Sequence, residues 1–184
     1  MIDEKHAVEI LEDRVENRNL RKHMYAVSAI MERLADELDK DQKEWKLTGL
    51  LHDIDYEETK DDPEEHGLIS AKILKEKLPE NCLKAIKAHN SKHTDTEPEN
   101  SISKALIAAD AISGLIVATA LVMPESTLDE VRVESIMKKI DDSSFAKSVD
   151  RNRIKYCEEL GFRLDELSKL SLEAMKNIHD KLGL

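Results

Sequence analysis

The sequence predicts an all-α protein, and its residue content, its apolar spacing and its capping residues support that prediction. Charged residues make up 36% of the chain and aromatic residues only 3%, with five glycines and four prolines among 184 positions. Strands favour aromatic and β-branched residues, while the Leu, Ala, Lys and Glu that dominate this chain favour helices. A chain of this length most simply forms one domain with a substantial hydrophobic core.

Three helices are predicted in the N-terminal third. Asp3 is suited to cap a first helix that ends near Val15. Apolar residues recur at helical spacing from about Asn19 to Leu38, which predicts a second, amphipathic helix. Asp41 is suited to cap a third helix, whose apolar run leads into the adjacent pair His52-Asp53. An imidazole and a carboxylate therefore stand together at the end of an apolar helix.

The middle of the chain predicts two shorter helices and a loop. Residues 61–65 indicate a helix start, because a capping Asp is followed by proline and two acids. That helix would carry His66 in its first turns. Pro79 then opens a helix over about residues 80–89, and the polar stretch 90–100 is expected to be a loop.

An apolar helix is predicted from its cap at Ser101 to about Val122, where Pro124 stops it. Residues 105–123 are long and apolar enough to be considered as a membrane span. Asp110 would be costly inside a membrane, however, and no flanking basic cluster or aromatic belt is present. A buried central helix is the better interpretation.

Three further amphipathic helices are predicted from Thr127 to the end, with breaks near Asp141-Asp142 and at Gly161. The sequence has no internal repeat, low-complexity tract or linker. The chain is therefore expected to fold as one unit.

Charge and cysteine content narrow the classes of function. A net charge of −11 argues against broad contact with a nucleic-acid duplex, because phosphate backbones need a basic face. A small phosphorylated substrate stays open, because a bound metal supplies positive charge locally. Cys82 and Cys157 make no disulfide framework, and the acidic residues 1–20 are unlike a signal peptide. We expect a cytoplasmic protein without membrane contact, either a monomer or a homodimer.

Residues with metal-ligand chemistry recur at the starts or on the buried faces of five successive predicted helices. Asp110 is the most informative, because its apolar neighbours provide no counter-charge and an unpaired buried carboxylate is costly. Imidazole nitrogens and carboxylate oxygens together suit a divalent Mn, Fe, Co, Ni, Zn or Mg ion. We expect His23, His52, Asp53 and Asp110 to hold one ion, and His66 and His89 to hold a second one that Asp53 bridges.

Each of these residues also has an ordinary explanation. A single histidine is more often a hydrogen-bonded structural residue than a ligand, and Asp53 or Asp110 alone would equally well cap a helix or pair with a buried arginine. Asp55 would either position water or act as a cap. Arg18 and Lys22 are candidate phosphate-binding residues, although most basic side chains are simply solvated. The ordered set of six residues is what favours metal binding.

The order His, His-Asp, His, His, Asp resembles the HD-domain superfamily of metal-dependent phosphohydrolases. The likeness extends to a group of small bacterial predicted HD hydrolases and covers nearly the whole chain. It rests on residues 19–24, 49–55 and 108–110, with further similarity at 145–147 and 182–184.

This resemblance implies an HD-type helical bundle with a buried metal site between helices. Residues 1–184 would form a single HD domain. Its metal-binding core would comprise about residues 19–123, and the C-terminal helices at about 127–184 would pack on that core.

The resemblance also implies hydrolysis of a phosphomonoester or phosphodiester, of a nucleotide or related small molecule, by metal-activated water. Asp53 and His66 would be the catalytic residues. His89 is followed by Asn90, where some two-metal members have a second histidine, so both one ion and two stay open. The alternative is a non-catalytic, metal-containing domain that senses or binds a nucleotide. A metal-dependent oxygenase is a third option, although nothing in the sequence specifically favours it.

Overall fold

The computed structural model describes residues 1–184 and contains helices and turns without a strand. The predicted all-α fold is therefore confirmed. Two 3-10 helices, Leu128–Glu130 and Lys155–Leu160, accompany the α-helices. In chain order, α1 to α12 are Glu4–Arg14, Arg18–Glu37, Gln42–Leu51, Tyr56–Thr59, Leu68–Ile73, Glu80–Ala88, Ser91–Thr94, Ser101–Leu121, Val133–Asp141, Arg151–Ile154, Leu164–Lys176 and His179–Leu182.

The first three helices follow the sequence prediction. The Asp3 side chain caps α1 by accepting a hydrogen bond from His6 N, and Asp41 caps α3 by accepting one from Glu44 N. Such caps satisfy N–H groups that the first turn of a helix leaves free. The apolar stripe of α2, from Met24 onward, is buried against α3, α8 and α11.

Helices α2 and α3 approach each other closely at Gly49. A Cβ atom built on Gly49 would lie 2.9 Å from the Val27 carbonyl oxygen and 3.0 Å from Ser28 Cα. Because both of these neighbours are backbone atoms that cannot swing away, only glycine allows α3 to pack so close to α2. The contact places the end of α3, where His52 and Asp53 follow, beside the helix that carries His23.

Helix α8 is the central element of the bundle. Most of its side chains are buried, and it packs against α2, α3, α6, α9, α10 and α11. Asn100 caps it, one residue before the predicted Ser101, by accepting a hydrogen bond from Ser103 N at 2.9 Å. Its length and composition would allow it to cross a membrane, but 67% of its most apolar window is buried inside the protein. The prediction that α8 is a buried core helix is thus confirmed.

The prediction that a helix begins at residues 61–65 is wrong. Turns dominate residues 60–67, and α5 begins only after them. Gly67 has a left-handed φ of 85°, which interrupts a helix. In place of a local cap, the buried Asp55 carboxylate accepts hydrogen bonds from N of Gly67 and N of Ser70, both at 2.8 Å. A tertiary contact therefore replaces the local capping signal.

The C-terminal part of the chain packs onto α2 and α8. Helix α11 contacts both of them as well as α9, while α10 and the second 3-10 helix lie against α8. The predicted breaks are present, since α9 ends at Asp141 and Gly161 is left-handed with a φ of 89°. The predicted loop at residues 90–100 differs in containing the short helix α7.

Candidate metal centre

His52 and Asp53 follow the last residue of α3 and lie at the centre of the cluster. The His52 Nδ1–H donates to the Gly49 carbonyl oxygen at 2.9 Å, so Nε2 carries the free lone pair. This Nε2 atom is buried, has no hydrogen-bond partner and lies 3.3 Å from Asp53 Oδ1. A buried, unpartnered imidazole nitrogen beside a carboxylate is unfavourable in the free protein and well suited to a cation.

His66 and His89 approach the same carboxylate oxygen from another side. Their Nε2 atoms lie 3.4 Å and 3.1 Å from Asp53 Oδ1 and 3.0 Å from each other. The opposite ring nitrogens are held by acceptors: His66 Nδ1 donates to Asp55 Oδ1 at 2.9 Å, and His89 Nδ1 donates to the Ile86 carbonyl oxygen. An acceptor behind each ring fixes its orientation and directs Nε2 outward, which is the usual arrangement of metal-ligating histidines.

His23 and Asp110 complete the group from α2 and α8. His23 Nε2 lies 3.2 Å from Asp110 Oδ1 and 3.9 Å from Asp53 Oδ2. The sequence neighbours of Asp110 provide no counter-charge, but a residue distant in sequence does. Arg153 of α10 donates from Nη2 to Asp110 Oδ2 at 2.6 Å, which is the buried-arginine alternative weighed for this residue.

The ligand-capable atoms form two groups that share one residue. All atoms of a group lie within 4.8 Å of one another, as metal binding requires. Asp110 belongs to neither group and is linked to the first through its contact with His23. The two groups are His23, His52 and Asp53, and Asp53, His66 and His89.

The pKa of His52 is lowered, whereas the pKa values of His23 and His66 are raised. Burial lowers the pKa of His52 to about 4, so its imidazole is neutral at pH 7 and able to bind a metal. Burial also acts to lower the pKa of His23 and His66. In these two residues the neighbouring carboxylates outweigh burial, so that Asp110 raises the pKa of His23 and Asp55 raises that of His66.

Both central carboxylates are ionised. Burial acts to raise the pKa of Asp53, but the surrounding histidines outweigh it and hold this pKa well below its usual value. Burial likewise opposes ionisation of Asp110, where the hydrogen bond with His23 and the charge of Arg153 lower the pKa. Buried carboxylates among imidazoles form a donor set that fits a divalent transition metal.

The candidate phosphate-binding residues lie in different places. Lys22 and His23 line a cavity of about 460 Å³ between α2, the apolar face of α8 and the C-terminal residues. Arg18 is exposed at the first position of α2 and does not line this cavity. Arg153 could not be identified from the sequence, because no local signal shows which arginine lies next to Asp110 when the two are 43 positions apart.

Comparison with known proteins decides the family. A model of the HD domain matches residues 20–115, which is more than half of the chain. The chain belongs to the HD domain family. HD proteins form a superfamily of metal-dependent phosphohydrolases, and the cluster of histidines and aspartates described above indicates a divalent-metal site.

Curated relatives of this HD protein are named Ribonuclease Y. The protein from Nitratidesulfovibrio vulgaris (strain DP4) is 38% identical over 100 residues, which are 53% of this chain and 18% of the relative. The one from Oleidesulfovibrio alaskensis is 32% identical over 99 residues, with the same coverage of each chain. The one from Lawsonia intracellularis is 28% identical over 138 residues, or 74% of this chain and 26% of the relative. The chain thus spans only about a fifth to a quarter of these relatives.

Proposed function

We propose that this HD protein hydrolyses a phosphomonoester or phosphodiester of a nucleotide or related small molecule, using one or two divalent ions. The main support is the position of Asp53, which belongs to both groups of ligand-capable atoms. A carboxylate shared by two neighbouring ion sites is a common feature of enzymes that attack phosphorus in line.

The chain's residues would divide the work as follows. His23, His52, Asp53 and Asp110 would hold the first ion, while Asp53, His66 and His89 would hold the second. The bound metal supplies positive charge to the phosphoryl oxygens and lowers the pKa of water toward neutrality. Asp53 would be the ligand common to both sites.

His66 has a second role when only the first site is filled. Asp55 raises the pKa of His66, and its side chain is partly open to solvent. It therefore holds a proton at neutral pH more readily than His52 does. This proton is available to a leaving oxygen, which is the general-acid step of phosphoester hydrolysis.

Two observations bear on the substrate class. The relatives' name, Ribonuclease Y, refers to cleavage of RNA, a phosphodiester, which supports the diester option for this chain. The net charge of −11 disfavours a long nucleic acid and favours a small substrate. We therefore place nucleotides and short oligonucleotides ahead of duplexes.

A substrate panel tests the proposal. The purified protein, loaded separately with Mn, Co, Ni, Zn and Mg, is incubated with nucleoside monophosphates, cyclic and linear dinucleotides and a short single-stranded RNA. We expect wild type to release product from at least one of these. We expect Asp53→Ala to release none while retaining its helical circular dichroism, because it loses the shared ligand.

The same panel separates hydrolysis from sensing. A nucleotide that raises the melting temperature of wild type but is recovered intact after overnight incubation would favour the nucleotide-binding alternative. Absence of turnover with every metal and substrate would contradict the hydrolase proposal.

A further inference from the structure

A polar cavity of about 340 Å³ adjoins the candidate metal centre on the side of His89. Its wall combines the end of α6, α7, α8, α10 and the second 3-10 helix, and it includes His89, Lys92, Asn152, Arg153 and Tyr156. His89 Nε2 lies 3.1 Å from Asp53 Oδ1, so a ligand in this cavity would lie directly beside the cluster. Arg153, Asn152 and Tyr156 come from beyond residue 115, outside the part of the chain that the HD model matches.

The Arg153 guanidinium is only partly used by the protein. Its Nη2 donates to Asp110 Oδ2 at 2.6 Å. Its Nη1 makes no hydrogen bond within the protein, and of the three guanidinium nitrogens only Nε is both buried and without a hydrogen-bond partner. The guanidinium presents several donors in a fixed plane, so an arginine held at one nitrogen still offers the other to an oxyanion.

Arg151 fixes the segment that carries Arg153. Its two terminal nitrogens donate to backbone carbonyl oxygens in the last turn of α9 and in the connection between α9 and α10. Nη1 bonds the carbonyls of Ala146 and Val149 at 2.7 Å each, and Nη2 bonds those of Lys139 and Asp142 at 3.2 Å and 3.1 Å. One side chain thus holds the connection together by hydrogen bonds, and α10 packs against α8.

The charges around the cavity suit an anion. Lys92 and Arg153 are cationic, and Asn152 offers a neutral amide. Asp150 is the one acid in the wall, and both of its oxygens already have partners. Oδ1 accepts a hydrogen bond from Asn152 N at 2.9 Å, and Oδ2 lies 3.8 Å from Lys92 Nζ. A phosphate oxygen could therefore approach Arg153 without meeting a free carboxylate.

We infer that this cavity binds a phosphate group of the substrate and that Arg153 is its principal contact. Asp110 holds the guanidinium through Nη2, and Nη1 binds the phosphate. The inference rests on the proposed function for the identity of the substrate. It adds that the C-terminal part of the chain, and not only the matched HD region, contributes to the site.

Binding of inorganic phosphate tests this inference without requiring turnover. Isothermal titration calorimetry is performed on protein loaded with Mn²⁺ and freed of unbound ion. We expect Arg153→Gln to bind phosphate at least about tenfold more weakly than wild type, because a charged hydrogen bond is lost. Arg153→Lys should be intermediate, since it keeps the charge but loses the planar arrangement of donors. The Mn content of each variant, measured by mass spectrometry, should equal that of wild type.

Two further variants serve as controls. Arg33 matches Arg153 in exposure, at 32% against 31%, and likewise pairs with carboxylates, but it lies near the far end of α2. Arg33→Gln should leave phosphate affinity unchanged. Asn152→Asp keeps the Arg153–Asp110 pair and adds a negative charge to the cavity wall, so it should weaken phosphate binding even if Arg153→Gln folds poorly.

The outcomes are separable. Unchanged phosphate affinity in Arg153→Gln or Asn152→Asp would overturn the inference, as would absence of phosphate binding by wild type. Joint loss of Mn and phosphate in Arg153→Gln would assign Arg153 to positioning Asp110 alone, which also overturns it. Normal phosphate binding by a wild type that hydrolyses nothing would contradict the proposed function and leave the phosphate subsite standing.

Discussion

Asp55 is a buried carboxylate that connects the backbone of one segment to the candidate metal centre. Its Oδ2 accepts hydrogen bonds from N of Gly67 and N of Ser70, and its Oδ1 accepts one from His66 Nδ1. The same residue therefore begins α5 and orients a candidate ligand. From the sequence, Asp55 was expected either to cap a helix or to position water. Its side chain does not cap the adjacent α4 and instead accepts hydrogen bonds at the start of α5, 12 and 15 positions along the chain.

Replacement of Asp55 tests this connection. In Asp55→Asn an amide must replace a carboxylate that accepts three hydrogen bonds. We expect the free energy of unfolding to fall by about 2 kcal/mol in urea denaturation. We also expect metal affinity, followed by titration, to fall by roughly tenfold or more, because the acceptor behind His66 is weakened. Glu58→Gln is the control, since Glu58 is an exposed carboxylate of the same segment. Unchanged metal affinity in Asp55→Asn would contradict the orienting role.

The two cysteines show how burial sets side-chain reactivity. Cys82 and Cys157 are free thiols with 0% exposure, and burial raises the pKa of each to about 11. Because the thiolate is the reactive form, both should be nearly inert at pH 8. We expect a chromogenic disulfide reagent to label the native protein far more slowly than the protein in urea, where both thiols should react. Fast labelling of either thiol in the native state would contradict this expectation.

The candidate ligands could be predicted from sequence, whereas their partners could not. His52-Asp53 and Asp110 stand out because ionisable residues interrupt apolar helices, and burial of such residues requires an explanation. His23 joins them through its place near the start of an amphipathic helix. Arg153 gives no such signal, because it lies in a polar stretch that resembles any solvated surface. Its role depends on how α10 packs against α8, which no local pattern records.

At the scale of secondary-structure elements, local rules worked where neighbouring residues decide the outcome. The caps at Asp3 and Asp41 and the break at Gly161 follow from their immediate sequence. The helix start predicted at residues 61–65 was wrong, although the composition of these residues favours one. There, Gly67 and the tertiary hydrogen bonds of Asp55 determine where α5 begins.

The contact between α2 and α3 gives a prediction at this scale. Gly49→Ala would place a Cβ atom 2.9 Å from the Val27 carbonyl oxygen, so α3 must move away from α2. We expect a loss of about 1–3 kcal/mol in unfolding free energy, the usual cost of overpacking. For a domain of this size each kcal/mol lowers the melting temperature by roughly 2–4 °C, which calorimetry can measure.

A second helical glycine provides the matched control for that variant. A Cβ atom on Gly114 of α8 would lie 3.5 Å from Val149 Cγ2, an ordinary van der Waals distance. Gly114→Ala should therefore be neutral or slightly stabilising, since alanine is the better helix former. Equal effects of the two substitutions would argue against a close approach of α2 and α3 at Gly49.

At the scale of the whole molecule, the candidate ligands join parts of the chain that are distant in sequence. They come from α2, the end of α3, the turn before α5, the end of α6 and the middle of α8. An ion bound to all of them would cross-link these elements. Metal binding should consequently stabilise the fold as a whole and not only its site.

Metal addition and removal test this consequence. At a free ion concentration about a hundredfold above Kd, we expect a gain of about 2.7 kcal/mol in stability. The melting temperature should rise on addition of Mn²⁺ or Co²⁺ and fall again on chelation. Asp53→Ala should show neither change, whereas Arg33→Gln should respond like wild type. A melting temperature indifferent to every ion would contradict the presence of a metal site.

The buried position of α8 also matters once the protein is unfolded. An unfolded chain would expose a long stretch of apolar side chains that in the native state packs against six other α-helices. Such a stretch readily sticks to copies of itself on other molecules. Heating concentrated solutions should therefore end in turbidity and loss of material, and recovery on cooling should improve with dilution.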